Sequence, residues 1–481
     1  MTGPKVDIGR DLVCFASPQA GFLITDVAGE SYPEAVDANR VITGSAGGAI
    51  AYVPREDKFG TATAVPGVQQ KRTAEGSIEG YVLPSGTRTT APDMSELLTT
   101  SGWTIVDRSA TTTTVAGGAS TAQRVNLTAS AGFAIGDAVI VEDTVAGAGL
   151  YEMRRIRGVD VVGTSIDVEP PLSFAPAAAA NVKGAIAFRC NDTRDTAEDA
   201  LCLWLMNNNS ADRLGGWTPS SLAVTAGGED AARFVLSGTA RRHDRLFQTS
   251  LDGGINNAVT TITVNDGLAS AGDLLNTYWQ IDNEVFKVTG ISGTTWTVAT
   301  RGSTGLGAGA DAHLDGAAMY PYRPAGTYAG SPVPSTSGQA MFATYASATG
   351  VALQVNQASL DCGMGVTYRE DIHGDAYKVG GYVLAQREIR ATLSGWTLRE
   401  ENMKAAMKAW QTADIAGASS QQISVAVVSG RSEGNMFGWV APRVRAEDLS
   451  LDRGSDEVTL DLTGLCEGTS AGADELILMF G

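Results

Sequence analysis

Acid–base, nucleophilic or metal chemistry in this 481-residue chain would have to run through three histidines, five cysteines and a few acidic clusters. His243 adjoins Asp244, and His373 follows Asp371 by two positions, spacings at which a carboxylate can orient an imidazole. Neither these nor His313 falls at the HExxH interval or at paired metal-ligand spacing. Asp282-Asn283-Glu284 offers oxygen donors of the kind calcium takes, but reads more simply as the acidic start of a strand. The run Gly305-Leu306-Gly307-Ala308-Gly309-Ala310 imitates a phosphate loop without the preceding strand, the following helix or the Lys-Ser/Thr that such a loop needs. No GxSxG, Ser–Lys pair or activated-cysteine setting is present. Two further clusters, Arg55-Glu56-Asp57 and Arg369-Glu370-Asp371, each join a cation to two carboxylates. No catalytic, cofactor-binding or metal-binding residue is expected, and the chain is not read as an enzyme.

Composition narrows the class. Glycine is abundant (57 residues) while charged residues are only 18%, which favours β-structure with many turns, and a hydrophobic fraction of 43% argues against global disorder. The net charge of −18 is the wrong sign for gripping phosphates. The densest basic runs, Arg154-Arg155-Ile156-Arg157 and Arg241-Arg242-His243-Asp244-Arg245, read as solvated strand or turn edges. Five cysteines without a CxxC pair suggest a reducing site of synthesis. The first residues lack the layout of a signal peptide, and no apolar run reaches the roughly 18 residues of a membrane helix.

The Arg-Glu-Asp clusters open two stretches with the same order of elements. Residues 1–50 should hold short strands near Leu12 and Gly48, and 54–72 a long turn-rich segment. From Thr73 the pattern alternates strictly, with Ala74, Gly76, Ile78, Gly80 and Val82 on one face and Thr73, Glu75, Ser77 and Glu79 on the other. Asp93 is placed to cap a helix over 94–100 that stops at Gly102-Trp103. In the second stretch Ile389, Ala391 and Leu393 alternate with Glu388, Arg390, Thr392 and Ser394. A helix over 398–412 should follow, burying Met403, Met407 and Trp410.

Residues 201–206 then align with 423–428, and Gly216-Trp217 with Gly438-Trp439. Each Gly-Trp precedes a hairpin: Leu222, Val224 and Ala226 against Ala232, Phe234 and Leu236, and Leu449 and Leu451 against Val458, Leu460 and Leu462. Arg55 and Arg369 stand 314 positions apart but Gly216 and Gly438 only 222, so the first copy carries about 92 additional residues. Residues 107–190 fill that space, and 251–325 separate the copies. These two inserts resemble one another, each reading as four or five short strands set into a surface connection. The chain is therefore expected to be mainly β: a first copy in two parts (1–106 and 191–250), inserted β-modules at 107–190 and 251–325, and a second copy at 326–481.

A turn-rich loop, an alternating strand, a short helix and a closing hairpin resemble the tail tube proteins of long-tailed, siphovirus-like bacteriophages. The segments concerned are 71–83 with 93–103, 201–238, 386–410 and 422–464, a little over half of the chain. The resemblance implies two β-sandwich or barrel domains, each with a short helix, in a structural virion protein assembled in the host cytoplasm. Three chains would form a trimeric ring of pseudo-sixfold symmetry, and stacked rings would form the conduit for genome ejection. Tape measure, terminator and distal tail proteins would be partners, and double-stranded DNA would pass through the lumen without specific binding. Glu75, Glu79, Glu388 and Arg390 would line the lumen, whose wall must not hold phosphates. Arg55, Glu56, Asp57, Arg369, Glu370 and Asp371 would lie at the bases of inter-ring loops, and the inserts would project outward. Two alternatives stand beside this reading, with a hydrolase of unknown type as a more distant third. One is another tail component, such as a distal, terminator or hub protein. The other is a carbohydrate-binding surface protein, with Trp217, Trp279, Trp296 and Trp439 as stacking platforms.

Overall fold

The computed structural model describes residues 12–19, 32–53, 68–190, 200–227, 230–266, 275–302, 304–307, 309–334, 339–344, 350–353, 355–370, 379–384, 386–397, 423–452, 459–468 and 473–481. The fold is almost entirely β, with sheets that curl into half-barrels. Its first part holds β1 (Val13–Gln19), β2 (Ala38–Asn39), β3 (Thr43–Val53), β4 (Val68–Tyr81), α1 (Ser95–Thr100) and β5 (Trp103–Asp107). A six-stranded module follows: β6 (Thr112–Thr114), β7 (Arg124–Asn126), β8 (Ala138–Glu142), β9 (Tyr151–Asp160), β10 (Ser165–Glu169) and β11 (Asn181–Gly184). The main sheets resume with β12 (Ile186–Cys190), β13 (Ala200–Met206), β14 (Ser210–Gly227), β15 (Arg233–Ala240) and β16 (Arg242–Phe247). A second six-stranded module comprises β17 (Thr249–Ser250), β18 (Thr261–Thr263), β19 (Tyr278–Ile281), β20 (Glu284–Ser292), β21 (Thr295–Val298) and β22 (Ala318–Pro321). The last part holds β23 (Gln339–Thr344), β24 (Val351–Leu353), β25 (Gln357–Gly363), β26 (Val366–Glu370), β27 (Val379–Leu384), β28 (Glu388–Thr397), β29 (Ile423–Ser429), β30 (Phe437–Asp452), β31 (Thr459–Cys466) and β32 (Ile477–Phe480).

Strand pairing is duplicated. In the first copy β2 pairs with β1, β1 with β13, β13 with β14, β14 with both β16 and β15, β15 with β4, and β4 with β3. In the second, β24 pairs with β23, β23 with β29, β29 with β30, β30 with both β32 and β31, β31 with β28, and β28 with β25. Each of these pairings of the first copy thus has its counterpart in the second. The copies are joined where β25 pairs with the C-terminal half of β14, and the β5–β12 pair that frames the first module extends the second copy's outer sheet through β32. One eight-stranded sheet results, in the order β3–β4–β15–β14–β25–β28–β31–β30. The N-terminal halves of β14 and β30 leave it for separate outer sheets. The first copy turns between the two at Gly216, whose positive φ of 64° suits glycine.

Alternation explains the layers. On β13, Leu201, Leu203 and Leu205 enter the main core with Ile78, Leu222, Leu236 and Trp217, and on β29, Val425 and Val427 do the same with Leu393, Leu462 and Trp439. The main core therefore lies between the eight-stranded sheet and the outer sheets. Gly76 admits this packing: a Cβ there would come within 2.3 Å of the Leu214 side chain. Trp217 is fully buried in this core. Trp217→Ala is expected to cost about 3–5 kcal/mol in denaturant unfolding followed by circular dichroism; a loss below about 1 kcal/mol would contradict that central position.

The other faces of the outer sheets carry the modules. Phe15, Cys202, Trp204, Met206, Ala211 and Leu246 pack on the second module through Trp279, Met319 and neighbouring side chains. Ala426, Val428, Met436, Val440, Ile477 and Met479 pack on the first through Ala138, Ile140, Tyr151 and Met153. The first module, inserted in the sequence of the first copy, thus covers the second copy, and each copy carries one module in the same place. The modules themselves share a strand order. Numbered within each module, it is 1-6-3-4-5-2, and the bridges Val115↔Leu127 and Leu251↔Val264 bring strand 2 back to strand 1.

Several expectations need correction. Each module has six strands, not four or five, because the short first and last strands carry little pattern. Residues 68–72, expected as turn, already belong to β4. Asp93 does not cap α1: Met94 is the N-cap residue with no side-chain cap, and the Asp93 carboxylate instead accepts the Ala329 amide at 3.1 Å. Glu284 opens β20 as expected, but Asp282-Asn283 ahead of it form the tight turn between β19 and β20, with Ile281 opposite Glu284. The Gly-Trp pairs lie inside β14 and β30, within the first strand of each hairpin rather than ahead of it. Trp217 faces Leu201 while Trp439 faces Val427, so equal spacing along the chain conceals a shifted register between the copies. The helix expected over 398–412 lies outside the described residues.

Candidate assembly surfaces

The side of the eight-stranded sheet away from the core is a mainly polar face, interrupted by Ala223 and the exposed Val235. From one edge to the other it presents Ser45 and Gly47; Glu75, Ser77 and Glu79; Arg233 and Ser237; Ser221 and Thr225; Ser359 and Asp361; Glu388, Arg390 and Thr392; Asp461 and Thr463; and Asp448 and Ser450. Its hydroxyls pair at matching positions in the two copies, Ser77 with Ser237 at 3.0 Å and Thr392 with Thr463 at 3.1 Å. All four residues expected to line a lumen, Glu75, Glu79, Glu388 and Arg390, fall on this one face. Sequence reasoning missed Asp361, Asp448 and Asp461, which continuing the alternation onto the neighbouring strands would have found.

The arginines of this face are engaged by carboxylates. Arg233 meets Glu79 at 3.3 Å and also pairs with Asp230, Arg390 meets Glu447 at 3.0 Å and also pairs with Glu388, and Arg445 meets Glu467 at 3.2 Å. Hydrogen bonding to Glu447 raises the Arg390 guanidinium above its ordinary range. Glu75, Asp361 and Asp448 remain exposed. Such a face repels phosphates and, among the described residues, offers no free guanidinium to hold them.

Of the inter-ring candidates, Arg369 and Glu370 lie on one of two corresponding hairpin arms. β3 and β4 form one long hairpin, and Tyr52 opposite Gln69 corresponds to Val366 opposite Leu384 in the β26–β27 hairpin. Arg369 and Glu370 lie in β26, opposite Gly381 and Val379. Arg55, Glu56, Asp57 and Asp371 lie outside the described residues, as does His373.

The candidates for chemistry are structural. His243 pairs with Asp212 at 2.8 Å, whereas Asp244 pairs with Arg213 at 2.7 Å, so the two sequence neighbours form no dyad. The first basic run is not the solvated edge expected of it, since Arg154 is fully buried beside Glu152 at 2.9 Å and Arg155 is buried against Glu169; the second leads into β16, which pairs with β14, and there Arg245 is exposed while Arg241 is buried. Trp217, Trp279, Trp296 and Trp439 are fully buried and present no stacking platform. All five cysteines are buried, and burial pushes Cys14 up to about 12, far from a reactive thiolate. Among the described residues no group of three or more His, Cys, Asp or Glu side chains is placed to hold a metal ion, and no helix is long and apolar enough to cross a membrane. No protein-family model matches the chain, and no curated protein matches it significantly.

Proposed function

We propose that this chain is a tail tube protein whose rings stack into a conduit for DNA. The observation that carries the reading is the eight-stranded sheet, made of two equivalent halves, polar and acidic on one face and covered by modules on the opposite side of the molecule. A duct for a polyanion calls for such a wall, because clustered lysine or arginine would hold phosphates and stall passage. Three chains would contribute six halves to a ring, with the modules outermost. Tape measure, terminator and distal proteins would meet the tube along its bore and at its ends. Negative-stain microscopy of the purified protein tests this. Stacked rings with a central hole are expected; a protein that stays monomeric at every concentration and salt overturns the reading, and single caps that never stack point to a terminator or hub role.

The two hairpin arms are assigned to contacts between rings. Deleting residues 58–68, most of the connection between β3 and β4 together with the first residue of β4, is expected to leave soluble protein that fails to build tubes. Tubes of normal length from the deletion variant, measured by microscopy, would refute that role.

A further inference from the structure

We infer that β3 of one chain pairs, antiparallel, with the C-terminal half of β30 of a second copy, with Gly47 opposite Ser450. The inference deepens the ring reading above and rests on it. Its basis is a joint already present inside the chain. β25, at the edge of the second copy, pairs along the C-terminal half of β14 from Ser221↔Gly363 to Gly227↔Gln357. The corresponding elements at the outer ends of the sheet are β3 and β30. Among the described residues β3 pairs only with β4, and β30 beyond Val444 pairs only with β31. Each is therefore an edge with a row of unpaired backbone groups, a template for another strand.

The register follows from equivalent positions. Ile78 lies between Leu236 and Gly44, and Leu393 lies between Leu462 and Ala358, so Gly44 corresponds to Ala358 and Gly48 to Cys362. Leu222 faces Leu236 as Leu449 faces Leu462, which makes Leu449 the counterpart of Leu222. Within the chain Leu222 faces Cys362 and Ala223 faces Asp361. Between chains Leu449 then faces Gly48, and Ser450 faces Gly47. A one-residue slip would turn the core-facing side chains toward the polar face. Charge agrees with this pairing. Inside the chain Asp361 lies opposite uncharged Ala223, and between chains Asp448 falls opposite uncharged Ala49 and Asp452 opposite uncharged Ser45, avoiding like charges across the strands. Because the two edges differ, the contact is head-to-tail and can propagate around a ring.

Cysteine cross-linking of the full chain tests the pairing. Gly47 and Ser450 are exposed, and a Cβ on Gly47 meets nothing within 4 Å, so the substitutions fit the fold. Cross-strand partners stand about 4.5–5.5 Å apart at Cα, a span that a disulfide bridges, whereas a two-residue slip adds about 6.5 Å. Under mild oxidation, mixed Gly47→Cys and Ser450→Cys chains should give a covalent dimer, and neither chain alone should. The double variant should give a ladder of multi-chain species. The in-chain equivalent, Ala223→Cys with Asp361→Cys, should close within one chain and serves as the geometric control. Cross-linking of Ser45→Cys with Ser450→Cys in place of the proposed pair, or homodimers from either single variant, would overturn the proposal. Microscopy of the same samples separates the two levels of failure: rings without the cross-link refute this pairing alone, and the absence of both refutes the ring reading as well.

Discussion

Excising residues 251–317 and joining Ser250 to Ala318 is expected to yield a chain that aggregates and binds a hydrophobic dye. The junction is geometrically available, since Ser250 and Ala318 are cross-strand partners in β17 and β22. The consequence follows from what the second module covers. Phe15, Trp204, Met206 and Leu246 are fully or almost fully buried beneath it, and removing it leaves them facing water. Each large apolar side chain so exposed forfeits about 1.5–3 kcal/mol, and together they form a contiguous patch of the kind that drives association. Tyr32 would lose its ring contact with Tyr278, at 4.9 Å, while keeping that with Trp204, at 5.0 Å. Light scattering after size exclusion and dye fluorescence check this. A truncated chain that remains dispersed, with an unchanged thermal transition, would mean that the module is a tethered ornament.

The corresponding excision of the first module should be milder in apolar exposure and different in kind. The face it covers carries Ala426, Val428, Met436 and Val440, smaller side chains without a tryptophan. It is also held by charge: Arg431 reaches Asp143 at 2.6 Å, and Glu433 accepts from Lys183 at 2.5 Å and from Arg88 at 2.7 Å. Glu433 thereby ties one arginine from the chain ahead of the first module and one lysine from within it to the second copy. Surface insertions are normally tolerated because they cover nothing; these two complete the burial of the outer sheets.

The duplication was legible because period-2 alternation and Gly-Trp spacing survive as letters. Ala74, Ile78, Ile389 and Leu393 are buried where the pattern put them. The joint between the copies was not legible, since β14 and β25 pair across more than a hundred residues through backbone groups that any sequence supplies. Spacing also misled. The hairpin from β13 to β14 turns within Asn207–Asn209, whereas β29 and β30 are separated by Gly430–Met436, so the tryptophans aligned in sequence stand at different registers. The polar face was half visible: Glu75, Glu79, Glu388 and Arg390 declared themselves by alternation, while Asp361 and Asp448 emerge only once their strands are placed beside these. Asp93 shows how tertiary contacts override local preference, its carboxylate taken by Ala329 from 236 positions away.

Arg301→Met should destabilise the second module by about 3–5 kcal/mol at neutral pH, the effect of leaving a buried carboxylate without its cation. Arg301 and Glu284 are both buried and joined by two hydrogen bonds, Nε to Oε1 at 2.8 Å and Nη2 to Oε2 at 2.6 Å. His313 adds a contact to the same oxygen at 2.9 Å, and the Asp311 amide donates to it at 3.1 Å. Burial by itself would raise the Glu284 carboxyl; hydrogen bonds from Arg301, His313 and Asp311 outweigh it and hold the group below the ordinary glutamate range. In the native chain this stabilisation is present in full above that ordinary range and is lost as pH falls through the lowered folded value. Removing the guanidinium takes away the first of the contacts that lower the carboxyl, so its folded value rises relative to that of the native chain. The deficit of the variant against the native chain is therefore greatest where Glu284 is charged and narrows as acid protonates it. Replacing both residues, Arg301→Met with Glu284→Met, should restore most of the loss, since a buried pair exchanged for apolar groups of similar volume is often neutral or better. Trp279 and Trp296, packed 5.0 Å apart in this module, report its unfolding by fluorescence. A deficit that stays constant with pH and persists in the double variant would assign the effect to lost packing around the arginine stem, with no part for the uncompensated charge.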